Sequence, residues 1–347
     1  DDWHVHVRDA ELMASVLRFS TYTSRQMLLM PNLVPPLTTE EMVAEYLSRV
    51  GIQHLKDWVI APPTRFYAAL FLHRTTSARD IRNAAINPMI ISGKFYPDGG
   101  TTNSSSQLTS PRDLRLEVLE AMEEVGMVLC LHGEVVEAEE PDPLLREVAF
   151  IKYLDWLVTN FPKLKIVVEH VSDRRMVHHV LNLPETVAMT ITSHHPFLTH
   201  TDALNDPHCN CMPVAKTETD RECLASTVLT AAWTPKIISG TDTAPHPVPD
   251  KKAGKAGVWS AGVHASVLWD HFATSGGDDK FEAFVAFTSG NGARFYGLEM
   301  SPEMRGEITF VRQRWQVPEI YEGIVPWKAG EILDWRVKGM EWFGITA

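Results

Sequence analysis

The chain has 347 residues, 44% of them hydrophobic, and a net charge of −12. That is enough apolar material for a large core, and an acidic chain with no Lys/Arg-rich block is a poor phosphate-backbone binder, so no nucleic-acid partner is expected. No run approaches the ~20 apolar residues of a membrane helix, and four cysteines are too few for a disulfide framework in so long a chain.

Short apolar runs alternate with amphipathic stretches along the chain. Asp2-Trp3-His4-Val5-His6-Val7 opens as a strand, and Ala10–Arg18 follows with helical spacing at Leu12, Val16 and Phe19. Gln26–Met30 is a buried-strand pattern halted by Pro31. After Pro35-Pro36, Thr38 and Glu41 fit a capping box that opens the next helix. Further strands are expected at Phe66–Leu72, Met89–Phe95, Met127–His132, Lys165–His170, Thr186–Ser193 and Lys236–Gly240. Helices are expected over Pro111–Val125 and Leu144–Thr159. Lys251–Gly257 reads as a loop, followed by helical segments at Ala261–Ser275 and Lys280–Ser289. Short strand-like pieces at Ile308–Val311 and Ile332–Val337 suggest a C-terminal appendage over about 300–347, packed on one domain that spans 1–347.

Eight strands alternating with helices point to an α/β fold of parallel units, and the count suggests a closed (β/α)8 TIM barrel with a small C-terminal extension. A doubly wound open sheet is the alternative, but no Gly-x-Gly-x-x-Gly follows the first strand. Cys209-Asn210-Cys211 is too tight for a usual zinc cysteine pair, so reduced thiols in a loop or strand end are expected. The first residues do not read as a secretory leader. Asp1 stands inside a strand-like run, so further residues upstream are expected.

Barrel active sites are built at the C-terminal strand ends. The first strand ends in His4-Val5-His6 and then Arg8; alternation along a strand puts all three on one face. The second ends in Asn32, the fourth in Lys94, the fifth in His132 and the sixth in His170. The eighth leads into Thr241-Asp242, with His246 four residues on. Imidazole nitrogen and carboxylate oxygen suit zinc. Lys94 is the odd member. Protonated, it repels a metal; combined with carbon dioxide, it becomes a carbamate whose two oxygens bridge two ions. On spacing alone it is equally a strand-end surface lysine or a charge partner for Asp242.

The order His-x-His, Lys, His, His, Asp resembles the amidohydrolase superfamily of binuclear-metal barrels. Asp2–Asp9, Met30–Pro36, Lys94–Pro97 leading to Thr101–Ser104, Leu131–Glu134, Glu169-His170 and Gly240–His246 are similar to the dihydroorotase family, in its shorter monofunctional bacterial and fungal form. His194–Thr199 and Pro213–Lys216 lean to the fungal branch, and the resemblance runs from residue 1 to about 340.

The resemblance implies a cytoplasmic enzyme, often a homodimer, that interconverts (S)-dihydroorotate and N-carbamoyl-L-aspartate in de novo pyrimidine (UMP) synthesis. It implies two Zn2+ per chain: one on His4, His6 and Asp242, the other on His132 and His170. Lys94 as N6-carboxylysine and a hydroxide would bridge them. The hydroxide would be the nucleophile and Asp242 the general base and acid. Arg8, Asn32 and His246 would hold the substrate carboxylate. Thr101 and Thr102 would sit on a lid behind Asp98-Gly99-Gly100, and backbone groups of Met212 and Ala256 would touch the pyrimidine. His194-His195 is expected in the wall of the site, not among the ligands. His54, His73, His178, His179, His200, His208, His264 and His271 are expected to be satisfied or solvated. Two other readings stay open: a hydantoinase- or allantoinase-like hydrolase of the same superfamily, and a non-catalytic relative kept for assembly.

Overall fold

Eight short strands hydrogen-bond in sequence order into one parallel sheet: β1 (Asp2–Val5), β2 (Gln26–Leu29), β3 (Arg65–Phe71), β4 (Ile90–Phe95), β5 (Val128–His132), β6 (Ile166–Glu169), β7 (Val187–Ile191) and β8 (Ile237–Ser239). The computed structural model describes residues 1–56, 64–275, 277–301 and 306–338. The ring closes beyond the ends of β1 and β8. There Val5 bridges Thr243, Asp242 N–H donates to His4 O at 2.8 Å, and His6 N–H donates to Thr243 O at 3.1 Å. Gly240 permits that approach: a Cβ there would stand 2.8 Å from the His4 Cβ. This is the (β/α)8 barrel expected from the strand count.

Side-chain alternation builds two apolar layers. Trp3, Leu28, Tyr67, Cys130, Val167 and Ile238 fill the barrel interior. Val5, Leu29, Leu70, Leu129, Val168 and Ile237 face the outer helices. In β1 the alternation slips. Asp2 pairs with Met27 but Val5 with Leu29, so three steps on β1 match two on β2. The extra residue lets Trp3 join the interior while His4, its neighbour, still reaches the site above it.

Several element boundaries differ from the sequence reading. Thr39, not Thr38, accepts from the Met42 N–H, at 3.3 Å, and the helix starts at Glu40. The 111–125 stretch is a short 3-10 turn, Pro111–Asp113, then a helix from Leu116; extended backbone at Leu114 separates them. The 144–159 stretch starts at Arg146 and is interrupted at Phe150. Lys251–Gly257 is not all loop, because Val248–Lys252 is helical. Pro249 suits a first helical turn, and the buried Lys251 donates to the carbonyls of Asn210 (2.9 Å) and Gly257 (2.6 Å). After the helix Lys280–Val285 comes a π-turn, Ala286–Gly290, and then the helix Asn291–Tyr296.

The C-terminal pieces pair as an antiparallel hairpin, β9 (Phe310–Gln316) and β10 (Ile332–Val337). Trp269, on the helix His264–Ser275, stacks on Phe310 at 5.2 Å and meets Trp335 edge-on at 5.9 Å. Residues 302–305 and 339–347 of the expected appendage lie outside the described residues.

Candidate active site

The C-terminal mouth of the barrel holds a cleft. His4, His6, His132, His170 and Asp242 line it from the barrel side, and Arg8, Asn32, Thr101, Thr102, Met212 and Ala256 from the loops. Lys94 and His246 are not on its surface. Lys94 is wholly buried on β4, and His246 stands behind Arg8. Sequence reading missed Tyr96, Ala244 and Gly257, which also line the cleft. Tyr96 was findable: it lies two residues past Lys94, on the same strand face.

His4, His6 and Asp242 converge most closely. His6 Nε2 is 3.1 Å and His4 Nε2 3.4 Å from the same oxygen, Asp242 Oδ1. The other nitrogen of His4, Nδ1, is 2.8 Å from Glu169 Oε2, which also accepts from Thr190 Oγ1 at 2.7 Å. Burial alone would raise the Asp242 carboxyl, but hydrogen bonds from His4 and His6 hold it well below the usual carboxylate range. Burial pushes the His6 imidazole down to about 4.

Beside this trio stand His132, His170 and Lys94. The His170 ring lies 4.6 Å from that of His132 and 5.1 Å from that of His4, centroid to centroid. His132 Nε2 is 2.8 Å from Glu134 Oε2. The Nδ1 of His132, the Nδ1 of His170 and the Nζ of Lys94 are buried without a hydrogen-bond partner. Leaving one such atom unpaired costs about 1–3 kcal/mol, and these three belong to residues at the C-terminal ends of the neighbouring strands β4, β5 and β6. Metal ions satisfy imidazole nitrogens, so the donor set fits the expected metals. Burial lowers the Lys94 amine, which favours the neutral form that attacks carbon dioxide.

Two of these residues carry uncommon backbone. His170 (φ 44°) and Asp242 (φ 47°) lie in the left-handed region, uncommon for residues other than glycine although His and Asp enter it more often than most. At His170 the turn is fastened by its N–H donating to Thr190 Oγ1 at 2.7 Å. The kink lets Glu169 and His170, adjacent in sequence, both serve the interior.

On the loop side, Arg8 Nη2 donates to His246 Nε2 at 2.9 Å, and Arg8 Nε donates to Pro245 O at 3.2 Å. Burial and the Arg8 charge push His246 down to about 2, so it stays a neutral acceptor. Asn32 Nδ2 donates to Thr102 O at 2.9 Å, and Thr102 Oγ1 reaches Ala256 O at 3.5 Å. The segment behind Gly99-Gly100 therefore rests across the cleft.

The chain as a whole is similar to proteins already known. A dihydroorotase from Shewanella loihica is 37% identical over 348 residues, covering 97% of each chain. The chain belongs to the dihydroorotase family. A crystal structure of dihydroorotase from Saccharomyces cerevisiae, in complex with 5-fluoroorotic acid, superposes with a TM-score of 0.87 at 30% identity, over 97% of this chain and 96% of that one. A dihydroorotase from Campylobacter jejuni gives 0.83 at 31%, over 97% and 95%. An L-hydantoinase from Arthrobacter aurescens shares the fold alone, at 16% identity, TM-score 0.75, and 97% and 81% coverage. No family model matches the chain. The membership makes the chain a metal-dependent cyclic amidohydrolase acting on a small molecule. Among the described residues, no helix is long and apolar enough to cross a membrane.

Proposed function

We propose that this cleft hydrolyses (S)-dihydroorotate reversibly to N-carbamoyl-L-aspartate, with two zinc ions held by His4, His6, His132, His170, Asp242 and carboxylated Lys94. The observation that carries the reading is the set of three buried, partnerless atoms, Lys94 Nζ, His132 Nδ1 and His170 Nδ1, beside the His4–His6–Asp242 trio. When bound, the metals supply Lewis-acid activation of water and of the scissile ring amide.

The chain's own residues do the rest. Arg8, with His246 behind it, offers a planar cation to the ring carboxylate, and Asn32 adds neutral polar groups. Asp242, ionised in the resting site, takes the proton of the attacking water and returns it to the leaving ring nitrogen. In the reverse direction it takes the proton from that nitrogen as the ring closes. Thr101 and Thr102 cover the bound ring and exclude bulk water; backbone groups of Met212 and Ala256 face its amide edge.

We read the chain as one unit, since Phe310 and Trp335 of the terminal hairpin pack on Trp269 of a barrel helix. A homodimer is the assembly we propose, to be checked by light scattering. Four free cysteines, two of them buried, suit a reducing cytoplasm.

The test compares turnover of dihydroorotate, hydantoin and allantoin by the zinc- and bicarbonate-supplied protein, with metal analysis in parallel. Dihydroorotate should be strongly preferred, with about two zinc ions per chain. A preference for hydantoin would transfer the site to the other hydrolase reading. Less than one zinc and no turnover would favour an assembly protein.

A further inference from the structure

At the end of β7, next to the cleft, a second group of ligand-type side chains comes together. His194, His195 and Cys211 each offer one ligand atom, and these atoms lie within 4.8 Å of one another. All three residues are at most 1% exposed. The chain brings them from two places: His194-His195 follow β7, while Cys211 sits on the loop that enters the cleft at Met212.

His194 is the decisive member. Both of its ring nitrogens are buried without a hydrogen-bond partner. A neutral imidazole always has one N–H and one lone pair, so two buried polar positions go unanswered, at a cost of about 1–3 kcal/mol each. His195 is held differently. Its Nδ1 is 2.9 Å from Thr192 Oγ1, and its Nε2 is 3.0 Å from Pro213 O and 3.5 Å from Cys211 Sγ.

We propose that His194, His195 and Cys211 form a metal site separate from the catalytic cluster, taking a borderline-soft divalent ion of the zinc class. Two imidazoles and one thiolate are a ligand set such ions accept, with a fourth position left for water. Ligand atoms around a tetrahedral zinc stand roughly 3.3–3.8 Å apart, so a contraction of about 1 Å completes the site. On binding, the Cys211 thiol releases its proton to solvent. His195 shifts its remaining proton from Nε2 to Nδ1, where Thr192 Oγ1 accepts it, and Nε2 exchanges Pro213 O for the ion. The bound ion would tie the end of β7 to the Met212 loop.

The test uses the intact protein with excess Co2+ as the probe. The cluster inferred for catalysis contains no sulfur, so a thiolate-to-cobalt charge-transfer band in the near ultraviolet reports a cysteine-containing site, whatever the protein hydrolyses. Wild type should show the band and bind one ion more per chain than either His194→Ala or Cys211→Ser, both of which should lose it. No band in wild type, or a band that persists in His194→Ala through another cysteine, overturns the proposal. If Cys211→Ser fails to fold, the His194→Ala comparison decides alone.

Discussion

His4 Nδ1 lies 2.8 Å from Glu169 Oε2, and this bond turns the opposite nitrogen, Nε2, toward Asp242. Glu169 is in turn held by Thr190. Removing such a partner typically costs 10- to 100-fold in metal affinity. Glu169→Gln should therefore weaken metal retention by about that factor, read by chelator competition. Retention equal to wild type would mean that His4 needs no carboxylate to hold its ring.

The proposed function gives Asp242 two duties, one toward metal and one toward the proton. Asp242→Ala should keep part of the metal, since four histidines and Lys94 remain, while turnover falls by about 10^2–10^4-fold. Metal content and kcat measured on the same preparation separate the two. Turnover above a tenth of wild type would remove the proton-carrying role.

Arg8 presents its guanidinium with His246 as a neutral acceptor behind it. A charged hydrogen bond contributes about 1.5–3 kcal/mol, so Arg8→Lys, which loses the planar fork, should raise KM for dihydroorotate about 10- to 100-fold. With His246 pushed down to about 2, the KM profile of wild type should show no inflection from this histidine between pH 5 and pH 9. An inflection near the ordinary histidine range, abolished by His246→Asn, would contradict that.

Glu147 couples folding to pH. Burial, opposed by the Lys216 charge, raises its carboxyl from the model-peptide value of 4.5 to about 7. Its oxygens accept from the N–H groups of Ser172 and Asp173 and from the Ser172 hydroxyl. With the folded value above the unfolded one, the folded state holds the proton longer. Its stabilising contribution is complete below about pH 4.5 and is lost as pH rises through 7, an effect of the order of 3 kcal/mol. Glu147→Gln should flatten that part of the stability–pH curve in denaturant melts. An unchanged slope would show that the bonds from Ser172 and Asp173 keep Glu147 ionised.

Gly292 meets Trp3 beneath the site. An added Cβ would fall 2.1 Å from Trp3 Nε1, and the Trp3 ring is already stacked on Tyr296 at 4.8 Å. Gly292→Ala should destabilise the barrel by at least about 1–3 kcal/mol, visible as a lowered Tm. A Tm within a degree of wild type would mean that the helix Asn291–Tyr296 shifts freely.

Most of the barrel and most of the cleft residues were legible because strand ends and ligand-type residues coincide in the chain. Simple alternation carries Cys130 to His132, and Ile238 through Gly240 to Asp242, onto the inner face. Helix limits were harder to read. Thr38 and Thr39 are equally good caps on paper, and only the entry angle of the chain selects Thr39. Lys251 looked like loop polarity because nothing local shows that its amine will bridge two carbonyls.

The sequence by itself determined the order of the eight strands, the chemistry at their ends and the resemblance that names the family. These are local or sequential properties: apolar runs, spacing and residue type. Only the tertiary structure decided which nitrogen of His4 and of His132 lies against a carboxylate, how the slip in β1 and the left-handed turn at His170 direct neighbouring side chains to one site, and that His194, His195 and Cys211 meet. Each of these depends on distances between segments remote in the chain, and those distances are set by closing the sheet into a ring, which one-dimensional spacing does not encode.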